Sequence, residues 1–239
     1  MLSDWLVERK LLLEVSMEMV RHDLVVASSG NASMRLSGDH KQGVILITPS
    51  GKPYRDLTPE DFVAIDLEGD QVEGEHVPSS ESALHLTLYK ARADVDAIIH
   101  THSTFVSVAS VAGIEIPPIV DEMVMKIGGS VPVAEYGFPS TEELASRACH
   151  AIGDRNAVML RNHGLVGVGP GPSEALEVCL LAERVAKIFV YASLLGQAKT
   201  LPQEIIGIER ELFTMQREAR LLTSTKINTM KGEKRGNRP

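Results

Sequence analysis

The sequence has few cysteines, no long apolar run and no excess of positive charge. Its 239 residues include only Cys149 and Cys179, and each lies within a predicted helix. So small a number excludes a disulfide framework, and we interpret both as reduced thiols in a core. We therefore expect a cytoplasmic protein.

Neither a membrane nor a nucleic acid is expected as a partner. No apolar run approaches the ~18 residues that a membrane-spanning helix needs. The first residues, MLSDWLVERKLLLEV, place Asp4 and Glu8 before an apolar stretch and lack a cleavage site, so they are not a signal peptide. A net charge of -8 argues against a nucleic acid, because binding to its phosphates needs a basic surface.

The composition is that of a globular protein. Hydrophobic residues make up 44% and charged residues 23%, and 239 residues can bury a substantial core. Because no internal repeat and no Pro/Ser-rich linker divides the chain before residue 225, we predict a single domain over residues 1–225. The basic tail KINTMKGEKRGNRP, residues 226–239, is nearly free of apolar residues. We predict a disordered terminus there, with an interaction arm as the alternative.

Helical and strand patterns alternate along the chain. Residues 4–24 show helical periodicity, 43–51 form an apolar strand closed by a Pro/Gly turn, and a hairpin crosses 68–70. Ser79 or Ser80 can cap a helix over 81–92. The pattern then predicts a strand (95–102), a helix (103–113), a strand (128–137) and a helix (140–154). After these it predicts two strands that meet near His163-Gly164, a helix from Pro172 to about Leu195, and a last helix after Pro202. This order favours an α/β sandwich with a mainly antiparallel sheet covered by helices.

Two histidines close the predicted strand 95–102. Residues i and i+2 of a strand share one face at roughly 6–7 Å, so His100 and His102 can bind one metal ion. On its own, the pair is more typical of polar positions at a strand's end than of a metal site. His163 is the best candidate for a third ligand, because it also follows an apolar strand and precedes a glycine that lets the backbone turn. For the other five histidines we expect structural or solvated roles: His22, His40, His76, His85 and His150.

Three turns rich in small residues are typical of phosphate-binding loops. Glu81 follows Pro78-Ser79-Ser80 at a predicted helix start, where hydroxyl and backbone N–H groups form an anion site. A glutamate that merely caps the helix is the alternative. Gly30-Asn31 and Ser50-Gly51 provide the other two turns. None has the spacing of a P-loop or a dinucleotide fold, so no nucleotide cofactor is indicated.

Taken together, these motifs resemble the class II aldolase/adducin family. The matching segments are SSGNAS (28–33), TPSG (48–51), PSSES (78–82), HTH (100–102) and RNHGL (161–165), in the family's order and spacing. The resemblance spans roughly residues 5–200 of the chain. It implies a three-layer sandwich with a mainly antiparallel sheet between helices. It also implies a homotetramer with active sites at subunit interfaces.

The resemblance further implies a role for each motif. His100, His102 and His163 would bind Zn²⁺, or another divalent ion such as Mn²⁺ or Co²⁺. Glu81 would be the acid/base and, in the resting enzyme, a fourth ligand. The substrate phosphate would be held by Gly30, Asn31, Ser50, Gly51, Ser79 and Ser80. The implied activity is that of a class II aldehyde-lyase, which cleaves a ketose 1-phosphate to dihydroxyacetone phosphate and an aldehyde.

The chain departs from the family's aldolases at two places. Those that act on fuculose phosphate carry a tyrosine just after the segment matching Ile116-Pro117, where this chain has Asp121 or Glu122, and no tyrosine follows Tyr191. Tyr136 and Phe138 fall where the family has an aromatic site wall, though plain packing explains them equally. The same scaffold carries pentulose-phosphate 4-epimerases, dehydratases and decarboxylases, which stay open as alternatives. A non-catalytic module of the adducin kind is disfavoured, because the metal ligands are present.

Overall fold

A computed structural model of the chain describes residues 5–36 and 43–233, with side chains as far as Leu222. The apolar strand segments pair into one sheet: β1 (Asn31–Arg35), β2 (Val44–Ile47), β3 (Val63–Asp66), β4 (Gln71–Glu73), β5 (Ala97–Thr101), β6 (Val133–Ala134), β7 (Ala157–Leu160) and β8 (Gly164–Gly169). Across the sheet the order is β4-β3-β2-β1-β5-β8-β7-β6. Neighbours are antiparallel except β6 and β7, which are parallel. The mainly antiparallel sheet is confirmed, although the parallel pair at one edge makes it mixed.

Helices cover both faces of this sheet. They are α1 (Leu6–Arg21), α2 (Ser82–Ala91), α3 (Thr104–Ala112), α4 (Asp121–Ile127), α5 (Glu142–Ile152), α6 (Pro172–Leu194) and α7 (Gln203–Glu233). None of the described helices is long and apolar enough to cross a membrane. The predicted tail at 226–239 overlaps the end of α7, and residues 234–239 lie outside the described residues. The division into a domain and a tail stays a prediction.

Alternation of side chains along the strands divides the core in two. On β2, Leu46 belongs to the core beneath α1, α3, α4 and α6, whereas Ile45 and Ile47 belong to the core beneath α2 and α5. On β5, Ile99 faces the first core and Ile98 the second. The sheet is therefore the middle of three layers.

The central position of β5 brings the sequence motifs together. It lies between β1 and β8, with Asn31 opposite His100 and His100 opposite Val166. His102 follows the last residue of β5, and His163 lies in the turn between β7 and β8. In that turn Asn162 adopts a φ of 57°. The start of β1, the end of β5 and the β7–β8 turn therefore meet at one end of the sheet.

The start of α2 differs from the prediction. Neither Ser79 nor Ser80 caps the helix; the N-cap position is held by Glu81, whose side chain makes no capping hydrogen bond. Ser79 Oγ instead accepts a hydrogen bond from the Glu81 N–H at 3.3 Å, within the turn before the helix. This turn leaves the Glu81 carboxylate free to point toward the histidines.

Two further elements also differ from the sequence pattern. The strand predicted at 128–137 shrinks to β6, because Gly128 and Gly129 adopt φ values of 92° and 120°, and Pro132 has no N–H for a ladder. Helix α4 was not predicted, since its 7 residues are too few to show a clear period. It begins at Asp121 and ends where Gly128 turns the chain.

Candidate metal centre

Three imidazoles converge at the end of β5. The Nε2 atoms of His100 and His102 lie 2.9 Å apart. The ring centroid of His163 lies 4.7 Å from that of His100 and 4.9 Å from that of His102. The three rings are steeply inclined to one another, at 66° to 71°. The three histidines that the sequence singled out thus form one cluster.

Backbone contacts hold these rings in place. Nδ1 of His100 donates to the Leu165 carbonyl at 2.9 Å, so its Nε2 lone pair faces the cluster. The glycine after His163 is required for this close approach. A Cβ on Gly164 would lie 2.1 Å from the Thr101 carbonyl oxygen and 3.2 Å from His100 Cε1. Gly30 is equally constrained, with a φ of +71° and the His100 carbonyl oxygen 2.5 Å from where its Cβ would be.

Glu81 completes the cluster. Its Oε2 lies 3.2 Å from His100 Nε2, and its Oε1 lies 3.5 Å from His163 Nε2. Oε2 also accepts a hydrogen bond from Asn31 Nδ2 at 2.9 Å. One ligand atom from each of Glu81, His100, His102 and His163 lies within 4.8 Å of the others.

The cluster holds its members in the protonation states that bind metals. Burial and then the charge of His100 lower the pKa of His102 to about 4 and that of His163 to about 4. Burial raises the pKa of the Glu81 carboxyl, but the positive charge that His100 and His163 can carry and the hydrogen bond from Asn31 outweigh it. The pKa of Glu81 therefore lies below its ordinary range. At neutral pH His102 and His163 are neutral and Glu81 is ionised.

This donor set fits a divalent transition metal. Imidazole nitrogens with one carboxylate suit Zn²⁺ and its neighbours, and three or four protein ligands are typical of catalytic sites. Within the described residues, the buried Glu81 Oε1 and His163 Nδ1 have no hydrogen-bond partner. A bound ion would give Glu81 Oε1 the partner that it lacks.

The predicted phosphate turns lie next to one another beside this cluster. The Ser50 N–H donates to the Val77 carbonyl at 2.9 Å, and the Ser79 N–H donates to the Thr48 carbonyl at 3.0 Å. Thr48 is in turn bonded to Ala32 at the start of β1. Ser50, Gly51 and Ser80 are exposed, Gly30 is half-buried, and Asn31 and Ser79 are buried. The three turns are thus adjacent, and parts of them are exposed beside the cluster.

Asp121 and Glu122 lie elsewhere in the described part of the chain. Glu122 pairs with Arg184 at 2.7 Å, and both side chains are more than 60% exposed. Burial and the nearby charge of Asp121 raise the pKa of Glu209 on α7. Their predicted role in a neighbouring subunit's site stays a prediction. Tyr136 and Phe138 are 49% and 68% exposed, and their place in a site wall stays a prediction.

Sequence reasoning missed the surroundings of Glu81. His85, for which a structural role is predicted, is fully buried and bonded to Asn31. Asp61, Lys52 and His76 form a second polar group beside the phosphate turns. In the sequence, the only sign of the contact between His85 and the surroundings of Glu81 was the i, i+4 spacing of Glu81 and His85. The group around Asp61 had no sign in the sequence, because its members come from separate loops.

Comparison with known proteins gives one consistent result. A family model described as "Class II Aldolase and Adducin N-terminal domain" matches residues 10–190. The 5-deoxy-D-ribulose 1-phosphate aldolase of Bacillus thuringiensis serovar kurstaki is 34% identical over 197 residues, or 82% of this chain and 91% of that protein. The L-fuculose phosphate aldolase of Escherichia coli (strain K12) is 31% identical over 203 residues, or 84% and 92% of the two chains.

A solved structure agrees with these relatives. An L-fuculose 1-phosphate aldolase superposes with a TM-score of 0.82 at 34% identity, covering 90% of this chain and 98% of that one. The matched region contains all four residues of the cluster, from Glu81 to His163. The chain belongs to the class II aldolase and adducin family.

Proposed function

We propose that this protein is a metal-dependent aldolase that cleaves a ketose 1-phosphate to dihydroxyacetone phosphate and an aldehyde. The observation that carries the proposal is the convergence of three imidazoles and an ionised carboxylate next to phosphate-type turns. The relatives are named as aldolases of fuculose phosphate and of 5-deoxyribulose 1-phosphate, which supports a phosphorylated ketose as the substrate class.

His100, His102 and His163, with Glu81 as a fourth ligand in the resting enzyme, would hold the ion. Zn²⁺, or Mn²⁺ or Co²⁺, supplies Lewis-acid polarisation of the substrate's carbonyl and hydroxyl oxygens when bound there. Cleavage of the C–C bond leaves a carbanion beside the carbonyl, which must then be protonated. The hydroxyl group that becomes the aldehyde carbonyl loses its proton in the same cleavage. The Glu81 carboxylate, ionised at rest, would accept that proton and deliver it to the carbanion, and in the reverse direction it would remove the proton from carbon as general base.

The turns containing Gly30, Asn31, Ser50, Gly51, Ser79 and Ser80 would bind the substrate phosphate. The hydroxyl groups of these turns, and those N–H groups not already bonded within them, would donate to phosphate oxygens and fix the carbon that exchanges its proton with Glu81. Since Asn31 also bonds to Glu81 at 2.9 Å, the phosphate and the acid/base are positioned by one residue.

Other reactions on the same scaffold differ in their products. A pentulose-phosphate 4-epimerase breaks and remakes the C–C bond without release, and a dehydratase or decarboxylase expels water or carbon dioxide. Incubation with a panel of ketose 1-phosphates, while dihydroxyacetone phosphate is trapped, separates aldol cleavage from all three. A non-catalytic adducin-like module is disfavoured by the intact cluster.

The first prediction concerns the metal ligands. We expect His100→Ala to lose bound metal and at least ~10²-fold in kcat, because a ligand of the ion that polarises the substrate is removed. A chelator should abolish activity in the unmodified protein, and re-addition of Zn²⁺, Mn²⁺ or Co²⁺ should restore it. The matched control is His150→Ala, an exposed histidine outside the cluster. Full turnover by metal-free His100→Ala would refute the proposal.

We further propose that the protein acts in the cytoplasm as a homotetramer, with active sites at subunit interfaces. Its two cysteines are free thiols, which supports a reducing compartment. In the tetramer, Asp121 or Glu122 would enter a neighbouring site in place of the family tyrosine.

A further inference from the structure

A chain of hydrogen bonds runs from Glu81 into the core. Asn31 Nδ2 donates to Glu81 Oε2 at 2.9 Å, and Asn31 Oδ1 lies 2.5 Å from His85 Nε2. On the other side of the imidazole, His85 Nδ1 lies 2.6 Å from Ser33 Oγ, which lies 2.8 Å from the Tyr89 hydroxyl. All five residues are buried, and His85 and Ser33 are 0% exposed.

The chain arises from two matching periodicities. Glu81, at the N-cap position, and His85 and Tyr89 of α2 are spaced i, i+4, i+8 and lie along one face of the helix. Asn31 and Ser33 are spaced i, i+2 on one face of β1. Both spacings are about 6 Å, so the strand residues fit alternately between the helix residues. The arrangement is therefore built from regular structure, which places it more rigidly than a loop would.

The donors and acceptors can be assigned in order from Glu81. An ionised carboxylate only accepts, so the Asn31 amide nitrogen faces Glu81 and its Oδ1 faces His85. His85 must then carry its proton on Nε2 and donate it to Asn31. Its bare Nδ1 accepts from the Ser33 hydroxyl, which accepts from Tyr89. Burial, reinforced by the charge of His100, lowers the pKa of His85 to about 3, in accord with a neutral ring.

We propose that His85 is a positioning residue for the acid/base. Its Nε2–H fixes the orientation of the Asn31 amide, and that amide ties down Oε2 of Glu81. Oε1, which would bind the ion in the resting enzyme, is then the oxygen that exchanges a proton with the substrate once it leaves the ion. The catalytic part of this role rests on the proposed function. The part in which His85 orders the Glu81 carboxylate does not depend on the proposed function.

Two substitutions at position 85 separate the links of the chain. The amide nitrogen of His85→Gln reaches as far as Nε2 and can still donate to Asn31. The side chain of His85→Asn reaches only as far as Nδ1, so it keeps the Ser33 link and loses the Asn31 link. We expect His85→Asn to lower kcat by about 10- to 100-fold, with His85→Gln within about threefold of the unmodified protein. In an Asn31→Ala background the two variants should have equal kcat, because His85 acts through Asn31.

A readout that does not depend on turnover is the visible absorption spectrum of the Co²⁺-loaded protein. We expect His85→Asn to shift this spectrum and to weaken Co²⁺ binding about 10-fold in competition with a chelator, whereas His85→Gln keeps both properties. Equal behaviour of the two variants, in the spectrum and in kcat, would overturn the proposal. If no variant cleaves a sugar phosphate, the proposed function fails, and the Co²⁺ spectra still decide whether His85 orders Glu81.

One further measurement needs no variant and holds even if His85→Asn does not fold. Imidazole ¹⁵N–¹H correlation spectra of the unmodified protein report which ring nitrogen carries the proton. We expect a neutral His85 with the proton on Nε2 at pH 7. A proton on Nδ1, or a doubly protonated ring, would refute the assignment of donors along the chain.

Discussion

At the scale of single residues, Asp61 shows how one buried carboxylate joins two loops beside the phosphate turns. Its Oδ1 lies 2.6 Å from Lys52 Nζ and 2.8 Å from His76 Nε2, while Oδ2 accepts from the Thr58 N–H at 2.6 Å. Burial raises the pKa of Asp61, but the hydrogen bonds from Lys52, Thr58 and His76 outweigh it and lower the pKa to about 2. The folded state therefore holds this proton less tightly than the unfolded chain.

From this follows a prediction for stability against pH. A carboxyl whose pKa falls from 3.8 to about 2 on folding contributes about 2 kcal/mol above pH 4, and loses it as the pH falls toward 2. We expect Asp61→Asn to lower the free energy of unfolding by at least this amount at pH 7, and the difference to shrink below pH 4. Urea unfolding of both proteins at several pH values measures it. Asp56→Asn, at a side chain 55% exposed in the same loop, is the control. A difference that does not change with pH would contradict the prediction.

The residues of the site were not equally predictable. The sequence was enough to find the four residues of the cluster, because a metal site limits the residue types and their spacing. They are His100, His102, His163 and Glu81. The Asn31–His85 hydrogen bond could not be found in this way. The spacing of residues 31 and 33 and that of residues 81, 85 and 89 are visible in the sequence, but nothing local shows that α2 packs against β1. A buried histidine on a helix has no feature in the sequence that separates packing from positioning.

At the scale of secondary-structure elements, α3 is held at its first turn by a residue of another helix. The Glu183 carboxylate of α6 accepts from the Phe105 and Val106 N–H groups, both at 2.9 Å. These are unpaired N–H groups of the first helical turn, where negative charge is also favourable. Because α3 starts two residues after His102, this contact ties α6 to the end of β5.

We expect Glu183→Ala to lower the free energy of unfolding by about 1–2 kcal/mol, because two helical N–H groups lose their acceptor. Denaturant unfolding measures the loss. Glu177→Ala is the matched control on the same helix, since Glu177 and its partner Lys126 are both more than 60% exposed. For the control we expect a change within ~0.5 kcal/mol. Equal effects of the two substitutions would contradict the proposed role of Glu183.

At the scale of the whole molecule, several exposed apolar side chains lie on two helices that pack together. Val108 and Val111 on α3 are 47% and 61% exposed, and Tyr191 and Leu194 on α6 are 51% and 77% exposed. The Tyr191 ring contacts that of Phe105 on α3, with centroids 5.6 Å apart. Such a patch supports the proposed homotetramer, because apolar surface of this kind is usually covered by a partner.

Sedimentation equilibrium should therefore give a mass near four times the 26.0 kDa of the chain. We expect Val111→Glu to reduce the mass, because it would bury a charge between subunits. Val72→Glu is the control, since Val72 is 52% exposed on the edge strand β4. A monomeric unmodified protein would refute the tetramer. Equal masses for the two variants would place the interface elsewhere.

The sequence by itself determined the four residues of the cluster, the family, the mainly antiparallel α/β fold and most helices, because these follow from residue chemistry, motif order and periodicity over long segments. Helix α4 and the true extent of β6 depended on short segments whose local preference is weak. Only the tertiary structure decided that α2 packs along β1 and that Asp61 joins two loops. Contacts of this kind depend on which segments the fold brings together, and no local pattern in the chain records them.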